Sequence, residues 1–344
     1  MLVVSKNRPA AGPDEVQKGI VMAIGNRQWL CVALIALSVF GSPLPAHVAG
    51  PEPRRKPKPP DLQKSAIIRM NVEMMLVNVS VTDPLNNSVT SLNKENFKLY
   101  EDGVEQEISA FSTEDVPISI GLIFDVSGSM GNKLDRARQA AIQFLRTANP
   151  HDEFFLVRFN DHAELTNRFT SGIEELENRI MFTAAGGRTA LLDAVYLGLD
   201  QIRSAHNARR ALLIISDGGD NHSLYNEADV RNSLREADCQ LDAMGIFDRS
   251  HIGRKSEERY GWSLLSELVE TTGGRVYPVS KVTDLPAIAS KIGMELRNQY
   301  VLGYKPPDMH RSRAWRKIKV KLNAPRGLPP VKIYARSGYY APTD

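Results

Sequence analysis

Cysteine is nearly absent from this sequence. Two residues, Cys31 and Cys239, in a chain of 344 exclude a disulfide framework as the basis of the fold. Cys31 lies inside an apolar run. Cys239 precedes a stretch that reads as a core strand, where a buried thiol is expected. An excess of charge is lacking too: 43 basic against 40 acidic residues give a formal net charge of +3. That balance is too even to argue for nucleic acid or an anionic membrane surface as the partner. Long apolar runs are missing as well. Residues 29–40 (WLCVALIALSVF) stop at twelve, short of the roughly 20 that a membrane span needs. No GxxxxGK[ST] phosphate loop, GxSxG elbow or HExxH helix occurs, and the histidines show no metal-ligand spacing. These absences leave little support for an enzyme.

The twelve-residue run has Arg27 before it and small residues and prolines after it. That is the pattern of a signal peptide, assigned here to residues 1–49, with Met22 as a possible start. Its removal takes away four basic and two acidic residues, so the remainder is near neutral. Residues 50–65 begin GPEPRRKPKPP, a proline-rich basic linker expected to be extended and solvated. The chain is therefore expected to be exported, to the periplasm, the medium or the cell surface, with no stable membrane span after cleavage.

From 66 to 115 the pattern is β. Val72, Met74 and Leu76, then Val77, Val79 and Val81, alternate with polar residues, with one change of phase that suggests a bulge. Residues 97–100 and 105–111 flank Glu101-Asp102-Gly103, a hairpin signal. From 118 the character changes. ISIGLIF (118–124) and ALLII (211–215) are continuous apolar runs, as for strands buried on both faces of a parallel sheet. Strand patterns at 154–159, 164–169, 241–247 and 276–279 alternate with helical patterns at 134–148, 173–182, 190–202, 228–237, 264–270 and 285–296. The α/β unit is assigned to 116–297 and reads as a doubly wound, mostly parallel, Rossmann-like sheet. After 297 the β pattern returns at 300–304, 317–322 and 331–334, within a C-terminal β segment, 298–344. Neither flank has enough strands to close a core alone. The economical solution is one small β-sandwich built from both flanks, with the α/β unit inserted into it.

The sharpest local feature is Asp125-Val126-Ser127-Gly128-Ser129, directly after the first buried strand. In a sheet of order 3-2-1-4-5-6 the crevice opens between the first and fourth strands, at their carboxyl ends. The fourth strand here ends in Ser216-Asp217-Gly218-Gly219, so Asp125 and Asp217 should meet there. Two carboxylates with the hydroxyls of Ser127 and Ser129 form an oxygen site suited to a hard divalent ion. Gly128 and Gly131 would let the loop turn tightly, and residues 186–189 (GGRT) could add a further oxygen. On its own the pentapeptide could equally be a strand-to-helix turn, with Ser127 or Ser129 capping the helix. Asp193 and Asp220 read as solvated acids near the rim, His222 as a surface imidazole, and Arg209-Arg210 as an ordinary charged turn.

Asp-x-Ser-x-Ser, a later threonine opening a helix, and an aspartate ending an apolar strand together resemble the metal-ion-dependent adhesion site of von Willebrand factor type A domains. The resemblance implies that Ser127, Ser129 and Thr189 ligate or approach a Mg2+ (or Mn2+) ion by hydroxyl. Asp125 and Asp217 would hold it largely through water, leaving one position for an Asp or Glu carboxylate of a partner protein. Over residues 66–342, FKLYEDG (97–103), YVLGY (300–304) and Gly338-Tyr339-Tyr340 also resemble the related proteins common in acidobacteria. The function implied is metal-dependent protein binding or adhesion. A structural envelope scaffold with an inert site and a metal-dependent phosphoester hydrolase are the alternatives. The rim is expected from residues 130–133, 162–164, 184–188 and 220–225, with Arg188, His222 and Tyr225 as direct partner contacts.

Overall fold

The computed structural model describes residues 74–246, 256–307, 314–325 and 327–341. The signal-peptide and linker assignments, and Cys31, fall outside them. All described elements lie in one compact unit, residues 68–344.

Strands β1 (Met75–Thr82), β2 (Phe97–Glu101), β3 (Val104–Gln106) and β4 (Ile108–Ser112) come first. The α/β portion follows as β5 (Ile118–Asp125), α1 (Leu134–Leu145), β6 (Glu153–Phe159), β7 (Ala163–Thr170), α2 (Ile173–Met181), α3 (Leu191–Ile202) and β8 (Arg209–Ser216). It continues through α4 (Glu227–Glu236), β9 (Gln240–Ile246), α5 (Ser256–Thr272), β10 (Val276–Val279) and α6 (Leu285–Arg297). Strands β11 (Tyr300–Tyr304), β12 (Trp315–Leu322), β13 (Lys332–Ala335) and β14 (Gly338–Tyr340) close the chain.

The central sheet runs β10-β9-β8-β5-β6-β7, parallel throughout except for the β6–β7 pair. Counting only its own strands, this is the expected 3-2-1-4-5-6 order. Successive residues of β5 and β8 point to opposite faces, and both faces are covered. Ile120, Leu122, Phe124, Leu213 and Ile215 pack with α1, α2 and α6 residues such as Phe144, Leu176 and Ile292. Ile123, Leu212 and Ile214 pack with α3, α4 and α5 through Val195, Val230 and Leu265. Each such fully buried side chain contributes about 1.5–3 kcal/mol, which is why β5 reads as an unbroken apolar run.

Two antiparallel sheets, β13-β1-β11-β4 and β14-β12-β2-β3, each mix strands from both flanks of the α/β portion. Val77, Val79, Leu99, Tyr300, Leu302, Tyr304 and Ile318 form their shared core. Inside it the buried Glu101 accepts from Tyr304 Oη at 2.5 Å, Arg316 Nη1 at 2.6 Å and Tyr339 Oη at 3.1 Å. A carboxylate so bonded offsets its own desolvation.

Several local expectations change. The strand expected over 105–111 is divided: β3 pairs with β2 across the Asp102–Gly103 turn, while β4 crosses to the other sheet beside β11. The turn residues have φ of 48° and 88°, the backbone for which Asp-Gly is suited. The change of phase near Leu76 is no bulge, because β1 keeps unbroken register with both β11 and β13. Leu76 lies on the outer face, half exposed, beside Gly303. Helix α5 begins well before 264, and β14 has too short a pattern to be foreseen. Arg209 is no solvated turn residue. It opens β8, is buried, and donates to the carbonyls of Leu296, Arg297 and Glu114, closing the C-terminus of α6. Cys239, expected to be buried, is a half-buried free thiol packed against the α/β core, pushed up to about 12 chiefly by desolvation.

Candidate functional site

Strands β5 and β8 are neighbours, so their carboxyl ends deliver Asp125 and Ser216-Asp217 to one spot. Ser127 N donates to Asp125 Oδ1 at 2.8 Å, and Ser216 Oγ to Asp125 Oδ2 at 2.5 Å. Ser127 Oγ and Ser129 Oγ are 3.1 Å apart, and Ser129 Oγ donates to Asp217 Oδ1 at 3.3 Å. Asp125, Ser127, Ser129 and Asp217 therefore form one polar cluster. All but Ser129 are buried. The helix-capping reading fails for both serines. Ser127 precedes the 3-10 turn Gly128–Met130 without a side-chain capping bond, and Lys133, not a serine, stands at the N-cap of α1.

The buried Thr189 arrives on a loop stitched to the serine loop, by Gly128 N to Gly187 O at 3.0 Å and Gly186 N to Val126 O at 2.8 Å. Its own N–H donates to Asn221 Oδ1 at 3.0 Å, and its carbonyl accepts from Asn221 N and His222 N. Of the two glycines expected to turn this loop, Gly131 is right-handed helical, while a Cβ at Gly128 would lie 3.0 Å from Gly187 O. Positive φ falls instead at Gly187 and Gly218, with φ of 82° and 84°. A Cβ at Gly218 would meet the Gly261 backbone at 2.4 Å, so a larger residue would push the Asp217 loop off α5.

Burial first, and the neighbouring carboxylate of Asp217 second, push Asp125 up to about 7, against the lowering effect of hydrogen bonds from Ser127 and Ser216. Two carboxylates forced together away from water gain from a cation. The donors gathered here are all oxygens, two from acids and the rest hydroxyls, which fits a hard divalent ion and not a soft one. Among the described residues no three His, Cys, Asp or Glu side chains gather closely enough to hold a metal. A cation here would thus depend on the hydroxyls of Ser127, Ser129 and Thr189.

At the rim, Arg188 Nη1 lies 3.2 Å from His222 Nδ1, both exposed. Tyr225 stacks on Tyr196, with ring centroids 3.9 Å apart and planes 16° from parallel. Met130, assigned to the rim, is instead fully buried in the core beneath it. Asp193 and Asp220 are structural rather than freely solvated. Asp193 accepts from Leu224 N and Tyr225 N, and Asp220 from Leu192 N and Ser223 Oγ. Together they hold residues 220–225 over the start of α3.

Three residues that sequence reasoning did not single out belong to this region. Ser216 supports Asp125 and accepts from Gly218 N at 2.9 Å. Lys133 Nζ lies 2.7 Å from Asp217 Oδ2. Leu224 stands 94 % exposed on the rim. The last could have been noticed, as an apolar residue inside a loop of polar neighbours.

Residues 120–219 match the family described as von Willebrand factor type A domain, and the α/β portion has that fold. The chain thus carries a von Willebrand factor type A domain. It is similar to inter-alpha-trypsin inhibitor heavy chain H4 of Bos taurus, at 24 % identity over 139 residues, covering 37 % of this chain and 15 % of that protein. The heavy chain 4 protein of Mus musculus is 28 % identical over 143 residues, with the same coverage. The chain therefore spans a small part of the length of these relatives. Among solved structures it is similar to a von Willebrand factor type A protein of Catenulispora acidiphila, at 13 % identity and a TM-score of 0.47, covering 80 % of this chain and 64 % of that one. The PilB minor pilin of Streptococcus sanguinis gives 15 % identity and a TM-score of 0.43, covering 54 % and 63 %.

Proposed function

We propose that this protein is an exported binding module that holds one magnesium or manganese ion at Asp125, Ser127, Ser129, Thr189 and Asp217 and uses it to grip a carboxylate of a partner protein. The observation that carries the reading is the convergence of Asp125, Ser127, Ser129 and Asp217 at the ends of β5 and β8, with the Thr189 loop bonded to the serine loop at Val126 and Gly128. The ion would supply a fixed positive charge for an acidic ligand, while the chain's residues orient it. Asp125 is itself oriented through both oxygens, and the rim at Arg188, His222 and Tyr225 selects the partner. Export rests on the apolar run at 29–40 and its flanks. No helix among the described residues is long and apolar enough to cross a membrane.

A serine nucleophile has no support here, because among the described residues no histidine contacts Ser127 or Ser129 to act as its base. Calorimetric titration of the full chain with MnCl2 tests the reading. Wild type should bind one ion, and Asp125→Ala and Asp217→Ala should bind none while keeping their helical circular dichroism. Unchanged affinity in Asp125→Ala would remove the ion from this site. A scaffold with an inert site predicts no uptake by wild type.

A further inference from the structure

Lys133 is placed where a lysine has little local reason to be. It occupies the N-cap position of α1, makes no side-chain capping bond there, and brings positive charge to the end of a helix that favours negative charge. Ser, Thr, Asp or Asn would stabilise that position better. Its ammonium instead reaches Asp217 Oδ2 at 2.7 Å, with the two side chains only 13 % and 8 % exposed. The other oxygen of Asp217 faces Ser129. One carboxylate is thus shared between a tethered cation on one side and the serine cluster on the other.

The charges decide what this does. With both acids ionised, as they must be to hold a metal, Asp125 and Asp217 with Lys133 leave the site one net negative charge before the ion enters. A divalent ion then makes it net positive by one. Without the ammonium the metal-free site would carry two negative charges, and the loaded site would be neutral. We infer that Lys133 sets the ligand preference of the site, holding metal affinity down in order to leave the loaded site positive and selective for an anionic group. The inference rests on the proposed metal site and assigns to Lys133 a role in it that no ligand residue performs. Its signature is two effects of opposite sign from one substitution, which loss of a merely structural contact would not produce.

The test uses the full chain, with MnCl2 as the metal probe and acetate as the anion probe. Mn2+ affinity is measured by calorimetry with and without acetate, since linkage makes acetate tighten Mn2+ by the factor with which Mn2+ tightens acetate. Asp125→Ala is the blank for acetate binding to free metal. Lys133→Gln is expected to bind Mn2+ about tenfold more tightly and to lose most of the acetate effect, as for one unit charge a few ångströms away in a partly screened medium. Lys133→Arg, which keeps the charge, should stay near wild type in both. Circular dichroism melts in chelator establish that each variant is folded. Unchanged Mn2+ affinity in Lys133→Gln, or a fall in Mn2+ affinity and acetate effect together, would overturn the inference. So would an arginine variant that behaves like the glutamine one. If wild type binds Mn2+ and Asp125→Ala does not, such a result counts against the role of Lys133 alone. If wild type takes up no Mn2+, the site reading itself falls and the inference with it.

Discussion

Ser216 Oγ reaches Asp125 Oδ2 at 2.5 Å, joining the carboxyl ends of the two central strands β8 and β5. The same hydroxyl accepts from Gly218 N at 2.9 Å, so one buried serine orients an acid and closes the turn that carries Asp217. Ser216→Ala removes a donor from a buried carboxylate and an acceptor from a buried amide. The expected cost is about 1–3 kcal/mol of stability, and metal affinity should fall about tenfold or more, as for other groups that orient a ligand from behind. A denaturant melt and a Mn2+ titration of the variant check the two numbers. Normal metal affinity would mean that Asp125 does not need this support.

Asp125 also makes stability depend on pH, with a sign that can be worked out. Its folded value, about 7, lies above the unfolded value of 3.8. Between those values the folded chain holds a proton that the unfolded chain has released, so stability falls as pH rises from about 4 to about 7. Asp242, buried and pushed up to about 6, adds a fall of the same sign over a narrower window. The informative quantity is therefore the difference between wild type and Asp125→Asn. In chelator, wild type should lose melting temperature from pH 5 to pH 7.5 more steeply than the asparagine variant. With saturating Mg2+ the wild-type slope should flatten, because the ion replaces the proton. Equal slopes in chelator would mean that Asp125 is ionised throughout.

Arg209 offers a test of the frame that is independent of the site. Its guanidinium satisfies carbonyls of Leu296, Arg297 and Glu114, which lie at the end of α6 and before β5. Arg209→Met keeps the apolar stem and leaves those carbonyls short of a donor. The variant should lose about 2–4 kcal/mol and bind Mn2+ as wild type does once folded. A loss under 0.5 kcal/mol by urea denaturation would show that water replaces the guanidinium without penalty.

How much of this was legible depends on whether the signal is contiguous in the chain. β5 and β8 declare themselves because a strand covered on both faces has no polar alternation to confuse with anything else. Their order follows from topology, and so Asp125 could be paired with Asp217 before any coordinates. The sandwich was legible as a need, since neither flank could close a core, but not in its pairing. The division of 105–111 between two sheets turns on backbone direction around Glu107, which composition does not encode. Arg209, Ser216 and Lys133 were illegible for one shared reason. Each satisfies a group brought to it by sheet or helix packing, Leu296 O, Asp125 Oδ2 and Asp217 Oδ2 respectively, and in sequence each looks like an ordinary polar residue at the end of an element.

Sheet pairing makes the two flanks interdependent, and truncation should expose it. β1 is hydrogen-bonded to β11 and β13, β2 to β12 and β4 to β11, so among the N-terminal strands only the β2–β3 hairpin stays paired if 298–344 is removed. A fragment of residues 66–113 should show no cooperative melt, because β1 to β4 cannot cover both faces of the Val77–Leu99 core. A cooperative transition in that fragment would contradict the shared sandwich.

The rim is where specificity should be measured apart from the metal. Arg188 and His222 face each other at 3.2 Å. Leu224 beside them is 94 % exposed on a loop fixed by Asp193, so an apolar side chain is presented to solvent on a rigid support. An acidic partner gripped by the ion would bury this edge and desolvate the guanidinium of Arg188. Arg188→Glu puts a like charge against that partner, and Leu224→Asp removes the apolar contact. Each should weaken capture of proteins held from the producing cell's envelope in magnesium and released by chelator, by about 30-fold if the residue is a hot spot. Neither should change Mn2+ affinity by more than about threefold, since neither side chain bonds to Asp125, Ser127, Ser129 or Asp217. Capture that survives both substitutions yet still depends on magnesium would move the partner's footprint to the opposite edge of the crevice, toward residues 162–164. Capture indifferent to chelator would take it off this end of the sheet altogether.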